Sequence, residues 1–465
     1  MRRLVLLTLL LLAGCAVNRP ATPKEGPMNR IAESYVKLVL AVGQHDADTV
    51  DAYYGPPEWR TEAAANQRPL SELRSEAEAL TAGLAAHPSS SGDEMDTLRH
   101  RYLARQLAAM VARIDLLSGR KMKFDDESKA LYDAVAPTHD AAFFQGLLDR
   151  LAGEVPGEGS LAERVEAFRQ GFVIPRDRLD AVFTAAVAEC RRRTLQHVAL
   201  PPEESFKVEY VTGKSWSGYN WYQGNFHSLI QVNTDLPIFI DRAIDLACHE
   251  GYPGHHVYNV LLEKHLVRDR GWVELSVYPL FSPQSLIAEG TANFGIEVAF
   301  PGEERTAFER ETLYPLAGLD PARAARYAEV QRLLQGLGYA GNEAARHYLD
   351  GEMSRQDAEA WLVRYALMSP ERAAQRVRFM DQYRSYVINY NLGQDLVRRS
   401  IESRGGTIDH PAKRWEELVK LISSPRLPSD LQPAFRMFFS ASLSAALRTA
   451  RSSSSSPWPP KLSRR

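Results

Sequence analysis

Apolar positions recur every three to four residues along most of this chain, the spacing of helices that bury one face. It predicts helices over residues 73–84, 98–117, 130–135, 143–151, 161–172 and 179–198. The same spacing returns over residues 327–337, 343–349, 358–367, 373–397, 415–422 and 431–447. Stretches such as His87-Pro88-Ser89-Ser90-Ser91-Gly92 and Val155-Pro156-Gly157-Glu158-Gly159 separate the helices. Only between residues 206 and 234 does the period shorten to two: 206–211 alternates, 229–234 reads as another short strand, and Gly213 and Gly218 punctuate the span. The expected fold is mainly α, a large helical body with one small antiparallel β segment. That segment lies just before the helix with the richest polar cluster.

The cluster is His249-Glu250-Gly251-Tyr252-Pro253-Gly254-His255-His256, flanked by Ile238, Ile240, Ile244 and Leu246 on one side and Val257, Val260, Leu261 and Leu262 on the other. Three imidazoles and a carboxylate in so apolar a setting are costly to bury without a partner. The spelling is close to His-Glu-x-x-His, in which two histidines one turn apart bind zinc and the glutamate acts as base, but Pro253 stands where the second ligand belongs. In an unbroken helix His255 would face about 240° away from His249, and His256 would lie about 10 Å along the axis. Pro253 lacks the N–H that would bond the His249 carbonyl, and Gly254 allows backbone angles that other residues avoid. A bulge or kink that absorbs two residues brings His255 to the ligand position. The expectation is a zinc pair of His249 and His255, with His256 as alternative ligand or supporting group and Glu250 as general base.

A third ligand is expected from Glu289, which sits among small and apolar residues of the stretch 285–297, where an unpaired carboxylate is expensive. One zinc ion on these three groups keeps a fourth position open, as catalytic zinc requires. Asn293, one turn further, is placed to orient His249 or His255 through the ring nitrogen not used by metal. Later in the chain Arg376, Arg378, Tyr383, Tyr386, Tyr390, Gly393 and Gln394 are within reach of a substrate, the tyrosines at helical spacing. Tyr53-Tyr54-Gly55-Pro56-Pro57-Glu58-Trp59 reads as an aromatic turn packed on the helical body.

Composition narrows the partners. With 465 residues, 45% hydrophobic and a formal net charge of −2, the chain has no basic surplus for nucleic acid. Arg2 and Arg3, an apolar run over 4–12, and Leu12-Ala13-Gly14-Cys15 read as a lipoprotein signal, residues 1–14, cut before Cys15, whose sulfur takes the lipid. Cleavage leaves 54 basic and 58 acidic residues. The apolar run is too short to span a bilayer, so the lipid is the anchor. Ala16 after the cysteine fits outer-membrane lipoproteins, which places the chain in the bacterial envelope facing the periplasm. Residues 15–27 then form a tether, 28–200 an N-terminal helical region, 201–448 the catalytic region, and 449–465 a tail with nothing to bury. Cys190 and Cys248 make no disulfide framework, although they could pair in an oxidising compartment, and Cys248 reads as a buried structural thiol.

The His249-Glu250-x-x-Pro253-Gly254-His255-His256 word, the Glu289-Gly290 helix and the late Tyr390-Asn391-Leu392-Gly393-Gln394 segment resemble the bacterial family catalogued as domain of unknown function 885. The likeness is strongest over residues 210–399. It implies a helical, gluzincin-like zinc metallopeptidase architecture without a settled substrate. Where that family commonly carries Trp and Tyr after Glu-Gly, this chain has Thr291 and Phe294. The match to the family's late Tyr-x-x-Gly segment makes Tyr390 the candidate donor to a tetrahedral oxyanion, with Tyr386 as alternative. The expected function is zinc-dependent hydrolysis of a peptide or small amide, carboxypeptidase- or dipeptidase-like if an arginine such as Arg378 holds a terminal carboxylate. The alternative is an inactive lipoprotein that binds a peptide or an envelope partner, with a structural metal or none.

Overall fold

The computed structural model, which describes residues 26–88 and 92–431, is mainly α-helical with two small sheets. The apolar stripes become helix seams: Pro27–Val42 buries Tyr35, Val36, Leu38 and Val39 against Leu70–Ala85, which packs in turn on Glu94–Leu117. Helix starts are set by caps rather than by the first apolar residue. Asp93 accepts from the Met95 N–H, so its helix begins at Glu94, and a reciprocal capping box between Ser354 and Asp357 starts Arg355–Tyr365 ahead of the apolar stripe. The helix expected over 130–135 is instead Phe124–Tyr132, ended by Asp133 in the left-handed conformation with φ 54°.

The helix expected over 373–397 is two, Pro370–Tyr383 and Ile388–Ser403, joined by a 3₁₀ turn at Arg384–Val387. Arg384 has φ 53° there. Buried Glu127 holds the break, accepting from Arg384 Nε at 2.7 Å, the Ser385 N–H at 3.2 Å and Ser385 Oγ at 2.6 Å. Tyr383, Tyr386 and Tyr390 therefore sit on three different pieces of backbone.

Strands β1 (Val50–Tyr53) to β5 (Val277–Pro279) form the two sheets. The three-stranded sheet contains β2 (Ser205–Val211), β3 (Gly218–Gly224) and β4 (His227–Asn233) in the order β2-β4-β3. The β3–β4 hairpin is antiparallel and turns at Asn225 and Phe226, both with positive φ, while β2 runs parallel to β4. Antiparallel pairing of β1 with β5 makes the second sheet, which the period-two pattern did not predict.

The helices Pro283–Ala299 and Ile388–Ser403 form the closest helix seam near the site. A Cβ on Gly290 would lie 2.5 Å from the carbonyl carbon and oxygen of Gly393, so both positions need glycine for the backbones to meet. This approach sets Glu289 beside Tyr386. Cys15, the signal sequence and almost all of the tether, the serines at 89–91, and residues 432–465 lie outside the described residues. Among the described residues no helix is long and apolar enough to cross a membrane.

Candidate metal centre

The helix Asp241–Leu246 widens into a π turn over Ala247–Gly251, passes a cis Tyr252–Pro253 peptide and Gly254, and restarts as His255–Leu262. At the break the chain folds back on its own helix end: the Gly254 N–H donates to the Cys248 carbonyl at 2.9 Å. A Cβ on Gly254 would stand 1.8 Å from the His249 carbonyl oxygen, which no side-chain motion relieves. The two histidines flanking this fold meet edge to face, ring centroids 4.7 Å apart, with their Nε2 atoms 3.1 Å from each other.

Glu289 Oε2 completes a triangle, 3.2 Å from His249 Nε2 and 3.8 Å from His255 Nε2. A point equidistant from the three atoms lies about 2.0 Å from each, the length of a Zn–N or Zn–O bond. The donor set fits a cation on independent grounds. Glu289 Oε2 is buried and accepts no hydrogen bond, while its other oxygen accepts from Tyr386 Oη at 2.7 Å. His249 Nδ1 faces Asn293 Oδ1 at 2.9 Å, and the Asn293 amide is oriented by its own donation to the Tyr390 carbonyl at 3.1 Å. The imidazole proton is thereby placed on Nδ1, leaving the Nε2 lone pair facing the triangle. These three residues could hold a metal ion.

Without an ion the charges settle on one another. Burial raises the Glu289 pKa, but the facing His249 and His255 outweigh it and hold the carboxyl well below its usual range. For His255 burial works downward, and Glu289, with Glu250 and Asp51 behind it, overrides burial and pushes the imidazole up to about 9. In the metal-free protein the folded-state pKa is thus raised, so the proton on His255 stabilises below pH 6.5 and that contribution is lost as pH rises through about 9. A metal must displace this proton. Metal affinity should rise with pH up to about 9, roughly tenfold per unit, and calorimetric titration at pH 7 in buffers of different ionisation enthalpy should find about one proton released per ion. Uptake without proton release would contradict this placement of His255.

The remaining candidates divide. Glu250 is buried in the π turn, its backbone carbonyl bonded by Asn220 Nδ2 at 2.7 Å. Its carboxylate lies in the cavity wall beside the triangle, against Gly218 of β3. Tyr383, Tyr386 and Tyr390 all line the same cavity, of about 1710 Å³. Arg376 lines it as well, whereas Arg378 is exposed and is not among the lining residues, which corrects the expectation of a carboxylate contact there. His256 points elsewhere: fully buried, it bonds Ser228 Oγ at 2.9 Å and Glu204 Oε2 at 2.9 Å. Glu204 also accepts from Tyr252 Oη at 2.5 Å and Arg191 at 2.6 Å, so this network ties the restarted helix to the sheet. Cys248 faces Cys190, both buried, with sulfurs 2.6 Å apart.

The sequence reading passed over Asp51. Carried on β1, it lines the cavity, accepts from the Tyr219 hydroxyl, and is pushed up to about 6 by burial, which outweighs that hydrogen bond and His255. A lone acid alternating with Val50 and Ala52 was the only sequence signal for it.

No family model matches the chain, and no curated protein matches it. Among solved structures, the chain is similar to a protein described as a lipoprotein from Colwellia psychrerythraea, at 16% identity over 89% of this chain and 76% of that one, TM-score 0.46. A protein of unknown function from Shewanella oneidensis matches at 12% identity over 86% of this chain and 88% of that one, TM-score 0.42. An M32 carboxypeptidase from Deinococcus radiodurans R1 matches at 13% identity over 87% and 93%, TM-score 0.36.

Proposed function

We propose that this chain is an envelope-anchored, zinc-dependent hydrolase that cleaves peptide bonds. The observation that carries the reading is the convergence of His249 Nε2, His255 Nε2 and Glu289 Oε2 on one point, with the Glu250 carboxylate in the same cavity wall. A zinc ion on these atoms supplies Lewis-acid chemistry, polarising a scissile carbonyl and drawing the pKa of water toward neutrality. Glu250 takes a proton from the attacking water and passes it to the leaving nitrogen as the C–N bond breaks, so one water is consumed and a carboxylate and an amine are released.

The other residues prepare that step. Asn293 keeps the His249 lone pair forward, and Tyr386 fixes Glu289 through Oε1. Tyr386 is thereby engaged, while the Tyr390 hydroxyl makes no hydrogen bond among the described residues and its ring lines the cavity. Burial first, then Glu289, hold the Tyr390 pKa well above its usual value, so the hydroxyl keeps its proton at neutral pH and can donate to a tetrahedral oxyanion. β3 is an outer strand of its sheet, and its Gly218, Tyr219 and Asn220 line the cavity, a backbone edge that an extended peptide can join. The Leu12-Ala13-Gly14-Cys15 word supports an acyl anchor at Cys15, with the cavity presented to the periplasm.

Removal and return of metal tests the reading. Protein stripped by a chelator should lose cleavage of a mixed peptide library, and about one equivalent of zinc should restore it. Cleavage that survives complete metal removal would defeat the proposal.

A further inference from the structure

Most arginines in the cavity wall have an acid to face: Arg242 pairs with Asp245, Arg305 with Asp245 and Glu309, and Arg398 and Arg414 with Glu297. Arg376 does not. On the helix Pro370–Tyr383 its guanidinium lies 4.9 Å from the centre of the Phe379 ring and 5.8 Å from that of Tyr390, and no carboxylate pairs with it among the described residues. Burial lowers its pKa, and only Tyr390 opposes that shift. A half-buried guanidinium with two aromatic neighbours and no counter-charge is free to take an anion that arrives with the substrate.

The same cavity wall carries acids beside the triangle. Asp51 and Glu250 face His255 there, and both are close enough to Glu289 or His255 to shift their protonation. A substrate carboxylate is repelled from the Asp51 side and drawn to the Arg376 side, which sets the direction in which a peptide lies. The Tyr390 ring centre lies 5.8 Å from the guanidinium, and nearby Glu289 helps to raise the pKa of its hydroxyl.

We propose that Arg376 binds a free carboxylate of the substrate through its planar fork, so that the chain acts at peptide C-termini and releases the last residue on the Arg376 side of Tyr390. This inference rests on the hydrolase reading above. Arg376 is a specificity-determining residue in it, touching the substrate away from the bond that breaks.

The experiment uses the zinc-loaded full chain with a mixed N-acetyl tripeptide library as free acids and the same library as C-terminal amides, read by mass spectrometry. Acids should be cleaved roughly 30-fold faster than amides, with only the last residue released. Arg376→Met should bring the ratio close to one by raising KM for the acids, leaving zinc content and cleavage of amides unchanged, and Arg376→Lys should recover part of the preference. Equal cleavage of acids and amides by the wild type overturns the proposal and leaves the hydrolase reading standing. Binding separates the two failures: zinc-loaded Glu250→Gln should bind the acids more tightly than the amides by calorimetry, and Glu250→Gln/Arg376→Met should not. That result supports the carboxylate site even where no peptide is cleaved, while equal or absent binding of the acids by Glu250→Gln overturns it.

Discussion

Replacing Glu250 with glutamine should leave a full complement of zinc in the protein and lower peptide hydrolysis roughly a thousand-fold. Glutamine has the shape of glutamate, so the packing against Gly218 and the Asn220 bond to the backbone carbonyl are kept. What disappears is a group that can accept a proton beside the ion. Glu250 belongs to neither the ligand triangle nor its hydrogen-bonded supports, so metal content and turnover should part company. Metal analysis and the peptide library, applied to the same sample, read both. Unchanged hydrolysis would mean that another acid is the base, and Asp51, pushed up to about 6 in the same cavity, would then be tested as Asp51→Asn.

The second large effect is expected at Gly254. An alanine there would put its Cβ 1.8 Å from the His249 carbonyl oxygen and 2.4 Å from that of Cys248, both backbone atoms of the turn carrying the first ligand. Nothing flexible is available to yield, so the segment must take another course and His249 and His255 must separate. Gly254→Ala should therefore drop zinc from about one per chain to below about one-tenth and destabilise the fold by about 3–5 kcal/mol. Gly146→Ala is the control, since a Cβ there meets nothing within 4 Å and the position is helical: zinc should be unchanged and stability equal or slightly higher. Denaturant titration and metal analysis of the two variants make the comparison.

Gly254 also shows where the sequence was legible. The misfit of Pro253-Gly254 with His-Glu-x-x-His pointed to a distorted backbone, because proline removes one specific helix bond and glycine opens angles closed to other residues. It did not reveal that the helix first widens into a π turn and then stops, since this depends on the Gly254 N–H reaching the Cys248 carbonyl. The helical class and the positions of most helices followed from periodicity, but starts such as Glu94 and Arg355 were set by caps. Long-range pairs stayed hidden. The break at Arg384 is held by Glu127, some 250 residues earlier, and β1 finds β5 only in three dimensions. β3 was invisible for a different reason: Gly218 and Gly224 bound it like turn residues, and its aromatic Trp221 is exposed while polar Asn220 beside it is buried. Asp51 reaches the site through the same unforeseen β1 pairing.

In sequence, the preference for His255 over His256 rested only on a bulge that absorbs two residues. Both are one short step past the glycine, and chain direction alone does not separate them. The restarted helix turns His256 into the sheet, where Ser228 and Glu204 bond both of its ring nitrogens, and leaves His255 Nε2 facing His249.

The proposed hydrolase requires one location for the ion. In crystals of the zinc-loaded protein, anomalous scattering at the zinc edge should give a single strong peak about 2 Å from His249 Nε2, His255 Nε2 and Glu289 Oε2. A peak at Glu204 and His256, or none between residues 249, 255 and 289 at full zinc loading, would contradict it.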